Sequence, residues 1–117
     1  MHDNEMYKIT EASLVIYNAI PSNVSPGTTL DLSPYVCETV FDQILNLTIK
    51  ISKGEVDFYT QQQDNTYLLE ANVANANNNT QYTQISLFGT KPSVRMLRVG
   101  ALTSFSVSLV SWRVKEI

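Results

Sequence analysis

One histidine, one cysteine, four glycines and four prolines are all that 117 residues contain of those types, and only 16% of the chain is charged. Each scarcity excludes something. The single histidine is His2, near the N-terminus where chains usually fray, so no histidine-based triad can be built around it. Zinc is held mostly by His and Cys, and one of each does not furnish a zinc site. Cys37 has no second cysteine to bridge and no anchored histidine as its base, so it reads as a small buried hydrophobe rather than a nucleophile. Gly27, Gly54, Gly89 and Gly100 stand singly, and none opens a phosphate-binding loop ahead of a Lys-Ser/Thr pair. So few Gly and Pro also exclude a collagenous or linker-like chain. The inventory predicts a protein that is not an enzyme, with no catalytic residue, no metal ligand set and no cofactor.

Long apolar runs are missing too. No stretch approaches the ~18 apolar residues of a spanning helix, so no membrane partner is expected. The start, Met1-His2-Asp3-Asn4-Glu5-Met6, is polar and acidic and lacks the basic-then-apolar pattern of a signal peptide. Asn-x-Ser/Thr triplets begin at Asn23, Asn46 and Asn78, but a chain this rich in Asn, Ser and Thr produces them by chance.

What is present is 44% hydrophobic residues beside 38 residues of Asn, Gln, Ser and Thr. That balance suits one compact domain, because enough apolar surface can be buried to offset the ordering entropy. Net charge is −3 but unevenly placed. Residues 1–49 carry six acids against Lys8, whereas residues 91–117 carry Lys91, Arg95, Arg98, Arg113 and Lys115 against Glu116. A duplex-binding protein normally shows a net basic footprint, so duplex nucleic acid is not an expected partner. An acidic first half and a basic last quarter fit complementary packing, within the fold or between subunits.

Alternation of apolar and polar residues dominates the pattern. In Leu45-Asn46-Leu47-Thr48-Ile49-Lys50-Ile51-Ser52 the odd positions are apolar; after Lys53-Gly54, in Glu55-Val56-Asp57-Phe58-Tyr59, the even ones are. This predicts a hairpin turning at Lys53-Gly54, or over Ser52–Glu55, with Ile51 facing Val56, Ile49 facing Phe58 and Lys50 meeting Asp57. Further strands are expected over 12–20, 28–32, 66–73, 82–88, 94–99 and 105–114, each bounded by polar, Gly or Pro breaks. In the last of these the apolar positions are odd through Leu109 and even from Val110, which predicts a bulge near Leu109–Val110 or a strand passing from one core to another contact surface. Ser33-Pro34, with apolar residues at 36, 37, 40, 41, 44 and 45, has a helical stripe behind an N-cap, and a short helix is expected over 34–43. Ala71 to Thr80 ends in a polar Asn run that reads as a surface loop. The fold expected is a single all-β, mainly antiparallel domain over 1–117, a β-sandwich or jelly-roll-like double sheet, with a closed barrel as the alternative that periodicity does not separate.

Few residues suggest chemistry. Glu55 and Asp57 share a strand face and resemble a glycosidase pair, but Lys50 opposite Asp57 makes a solvated cross-strand ion pair the simpler reading. Asp31, Asp42 and Asp64 lack the dense oxygen ligands of a calcium loop. The residues best suited to meeting a partner are Tyr59, Arg95, Arg98, Trp112 and Arg113. Tyr59 points away from the core if Val56 and Phe58 point in. Trp112 stands after the parity switch beside Arg113, although its neighbours Val110 and Val114 equally make it core. Arg95 and Arg98 fall on opposite faces of one strand and do not form one basic patch.

These features predict a structural assembly protein acting through contacts with other subunits, its own copies or a capsid or tail protein. The specific expectation is a phage capsid decoration, head-fibre or tail component, made in the host cytoplasm and localised to the virion. The alternative is a lectin-like sandwich that binds carbohydrate on exposed aromatics.

Overall fold

The computed structural model describes the backbone of residues 5–34, 43–89, 91 and 93–115, and the side chains of residues 14–34, 44–88, 91 and 93–111. Eight strands follow in order: β1 (Glu5–Asn18), β2 (Thr28–Asp31), β3 (Gln43–Ser52), β4 (Gly54–Gln61), β5 (Tyr67–Asn75), β6 (Gln81–Gly89), β7 (Ser93–Val99) and β8 (Ser104–Lys115). They form two four-stranded antiparallel sheets, ordered β1-β8-β3-β6 and β2-β7-β4-β5. The helix expected over 34–43 lies outside the described residues, except that Pro34 sits in a turn and Gln43 opens β3. Cys37 lies outside them as well.

The pairs β1–β8, β2–β7, β3–β6 and β4–β5 are all present. They are what a single long hairpin, with its tip at residues 62–66, produces when it is rolled up so that its two arms alternate between two layers. This is jelly-roll connectivity: a double sheet, and not the closed barrel.

That wrapping corrects the hairpin expected at Lys53-Gly54. β3 and β4 lie in different sheets and do not pair. Ile51 stands beside Gln81 and Phe105, not Val56, and Phe58 stands beside Ala71 and Met96. Lys50 is opposite Tyr82 and Ser106, and Asp57 is opposite Asn72 and Leu97, so the expected Lys50–Asp57 pair does not form. The cause is long-range pairing: β3 is flanked by β8 and β6, and β4 by β7 and β5, so neither leaves an edge for the other. Lys53 (φ 57°) and Gly54 (φ 104°), whose left-handed backbone would equally suit a two-residue hairpin turn, here carry the chain from one sheet to the other. Leu45, Leu47, Ile49 and Ile51 therefore meet Val56 and Phe58 across the core rather than side by side, and all six are buried. Leu30, Leu32, Val94, Met96, Val107 and Leu109 belong to the same core.

The parity switch in β8 is a bulge, as expected. Asn46 pairs with Ser111 and Leu47 with Leu109, leaving Val110 as the extra residue. β1 begins at Glu5, before the expected 12, and β5 continues through Asn75 into what reads as loop. Asn75 is buried because its amide fastens the end of the sandwich: Nδ2 donates to the carbonyls of Ile51 (3.0 Å) and Asn79 (2.7 Å), and Oδ1 accepts from Asn77 N (2.9 Å). Beside it, the Ser52 hydroxyl bonds to those of Thr80 (2.9 Å) and Ser104 (2.8 Å). Asn75→Ala should lower stability by about 2 kcal/mol, measured by urea unfolding, because it strands buried polar groups at this end.

Two exposed aspartates close turns. Asp31 Oδ1 accepts from Ser33 N (2.9 Å), and Asp64 Oδ1 accepts from Thr66 Oγ1 (2.6 Å) and N (3.1 Å). The backbone N–H and hydroxyl of Ser33, and the hydroxyl and N–H of Thr66, hold these carboxyl groups below their usual range. Their contribution is present at neutral pH and is lost as pH falls through the lowered pKa values.

Candidate functional site

Val56, Phe58 and Thr60 of β4 point into the core, as do Val94 and Met96 of β7. The alternate residues Asp57, Tyr59, Arg95 and Leu97 therefore stand on the outer face of the β2-β7-β4-β5 sheet. Register then sets the neighbours: Arg95 lies between Thr29 and Tyr59, and Tyr59 lies between Arg95 and Leu69. Two of the residues singled out from the sequence, Tyr59 and Arg95, are thus side by side.

A third member, Tyr67, comes from a bulge. Phe58 pairs with Ala71 and Tyr59 with Leu69, so Glu70 is the extra residue in β5. A regular strand carrying Val73 and Ala71 inward would carry Leu69 and Tyr67 inward too; the bulge turns both outward. Arg95 Cζ then lies 3.8 Å from the centroid of the Tyr67 ring, over its face. The Tyr67 hydroxyl bonds to Ser93 Oγ at 2.7 Å, which fixes the ring. Sequence reasoning missed Tyr67 as a site residue; its one trace is the break in alternation at Leu68-Leu69-Glu70.

Between these side chains and the turn at Ser25-Pro26 lies a groove of about 200 Å³, lined by Ser25, Pro26, Tyr59, Tyr67, Arg95 and Leu97. Arg95 Nε is buried without an acceptor, and no carboxylate pairs with Arg95 among the described residues. The groove thus presents two phenol rings and a guanidinium whose charge is met by a ring face alone.

The remaining candidates lie elsewhere. Arg98 donates from its backbone N to Ser22 O (3.0 Å), from Nε to Pro21 O (2.9 Å) and from Nη1 to Gly100 O, fastening the segment before β2. Trp112 and Arg113 are in β8 of the opposite sheet, opposite Leu45 and Ile44, and their side chains are outside the described residues. Glu55 and Asp57 are bridged by one amide, Asn72 Nδ2, which donates to Glu55 Oε2 (3.0 Å) and Asp57 Oδ1 (2.7 Å).

Two other surfaces stand out. A recess of about 440 Å³ opens at the Val110 bulge on the outer face of β1-β8-β3-β6. Three of its polar side chains already engage one another: Asn46 Nδ2 donates to Ser111 Oγ (2.9 Å), and Ser86 Oγ donates to Asn46 Oδ1 (2.7 Å). The second surface is the margin where edge strands β5 and β6 overlie each other. Leu68, opposite buried Thr60, points inward yet is 54% exposed, whereas Phe88 and Tyr82 of β6 are exposed on the outer face of the other sheet. Among the described residues no three His, Cys, Asp or Glu side chains group as metal ligands, and no helix is long and apolar enough to cross a membrane.

No protein-family model, curated protein or solved structure matches this chain.

Proposed function

We propose that the protein is a non-enzymatic structural subunit that works by joining other protein subunits, and that its setting is a virion: a phage capsid decoration, head fibre or tail component. The observation that carries the reading is the open margin of the sandwich. Leu68 is directed toward the core side of β5 and stays half exposed, with an edge strand on each sheet beside it. Unpaired edges and uncovered apolar side chains attract other chains. β5 and β6 are nine residues each, unlike the four-residue β2, and lack the shortness that blunts an edge. The occupant that suits this margin is a second copy, which brings the same unpaired strand and the same leucine. Jelly rolls recur in viral capsid domains, which supports the setting by analogy of fold.

Sedimentation equilibrium tests the reading. Wild type should exceed the monomer mass, and Leu68→Glu should return it to the monomer with its thermal midpoint nearly unchanged. A wild type that stays monomeric at high concentration removes self-association.

A second reading, carbohydrate binding, is favoured by the Tyr59–Tyr67–Arg95 groove. Jelly rolls also recur in lectin domains, and tyrosine faces accept sugar rings.

A further inference from the structure

We infer that the Tyr59–Tyr67–Arg95 groove binds a single sugar residue that carries a carboxylate, a uronic acid or a related acidic sugar. The inference rests on the carbohydrate reading and adds the ligand class.

Three observations converge. First, Arg95 is held over Tyr67 with no carboxylate partner among the described residues and with Nε buried and unpaired. A buried guanidinium nitrogen is costly without an acceptor, and the part of the planar fork that stays exposed on half-buried Arg95 matches a carboxylate. Stacking on Tyr67 pre-orients it, so little side-chain entropy remains to be lost on binding. Second, the groove of about 200 Å³ is smaller than the roughly 300–1,000 Å³ sites of drug-sized ligands and suits one ring. Tyr59 offers a ring face and a hydroxyl, Tyr67 holds Arg95 in place, and Pro26 supplies an apolar wall. Third, β4 and β7 are interior strands of the β2-β7-β4-β5 sheet. Their backbone N–H and C=O groups lie in the sheet plane and are engaged by neighbours on both sides. An acidic peptide laid on this face finds no main-chain partners, whereas a sugar brings its own hydroxyls. The net charge of −3 opposes general attraction of polyanions, so recognition depends on this one cation.

The test is titration of the intact chain, by calorimetry and by chemical-shift mapping, with methyl glucuronide, methyl galacturonide, their neutral methyl glycosides and an Asp/Glu-containing hexapeptide. At least one uronide should bind about tenfold or more tightly than its neutral counterpart. The shifts should centre on Tyr59 and Tyr67. Arg95→Gln should abolish the preference with the thermal midpoint retained, and Arg95→Lys should not restore it, because an ammonium lacks the fork. Equal binding of neutral and acidic glycosides overturns the carboxylate assignment and leaves the carbohydrate reading standing. Binding of the peptide alone, or of none of the probes at millimolar concentration, overturns the inference and that reading together. Assembly is read separately, by mass.

Discussion

Ile49→Ala should cost about 2–5 kcal/mol of unfolding free energy, because a large core side chain is removed and the cavity collapses only partly. Ile49 is fully buried, between Thr83 of β6 and Val107 of β8, and faces the second sheet across the core. Thr48, one residue earlier, turns to the opposite face between Gln84 and Ser108 and is only partly buried. Thr48→Ala should therefore cost well under half as much. Urea unfolding at a dilution where the chain is monomeric gives both values. Equal losses would mean that the outer face of β1-β8-β3-β6 is covered as completely as the inner one, and the one-sided burial of β3 would be refuted.

Gly54→Ala is expected to be comparably damaging, about 2–5 kcal/mol, by a different route. At φ 104° an L-residue is strained, and a Cβ there would run into the Ala101 carbonyl oxygen and lie 2.9 Å from Leu102 Cδ2. Strain of ~1–2 kcal/mol then adds to overpacking of ~1–3 kcal/mol. Gly100, at φ 79° with nothing within 4 Å of its would-be Cβ, separates the two causes. Gly100→Ala should show the strain alone, about 1–2 kcal/mol. If thermal unfolding gives the same loss at both glycines, the close approach of the β7–β8 connection to the β3–β4 crossing contributes nothing.

Much of the architecture was legible in the residue order. Alternation over 45–51 and at 56 and 58 marks the inward side chains, and each of them is buried. The switch at Leu109–Val110 marks a bulge that exists. Both signals are local: in an extended chain successive side chains point to opposite faces, so the face turned to the core is written in every second residue. The outward direction of Tyr59 and the separation of Arg95 from Arg98 follow from the same rule. Asn75 escaped it, because a polar residue that satisfies buried carbonyls has the same sequence signature as one in solvent.

Neighbours, in contrast, were decided by the tertiary structure. Ile51 and Val56 are five residues apart and each is the core-facing member of its own alternation, which suits a hairpin and an arch between sheets equally well. The left-handed backbone at Lys53 and Gly54 suits both as well, so the long-range partners that complete each sheet choose the arch. The groove depends on the same wrapping. Arg95 reaches Tyr59 because β7 returns beside β4, and reaches Tyr67 because the Glu70 bulge turns that ring outward. Composition and periodicity determined an all-β double sheet and which side chains it buries, since burial is settled residue by residue. Which strands lie side by side, and so which outward residues make a site, was settled by the rolling of the whole chain, whose pairings join residues as distant as Glu5 and Lys115.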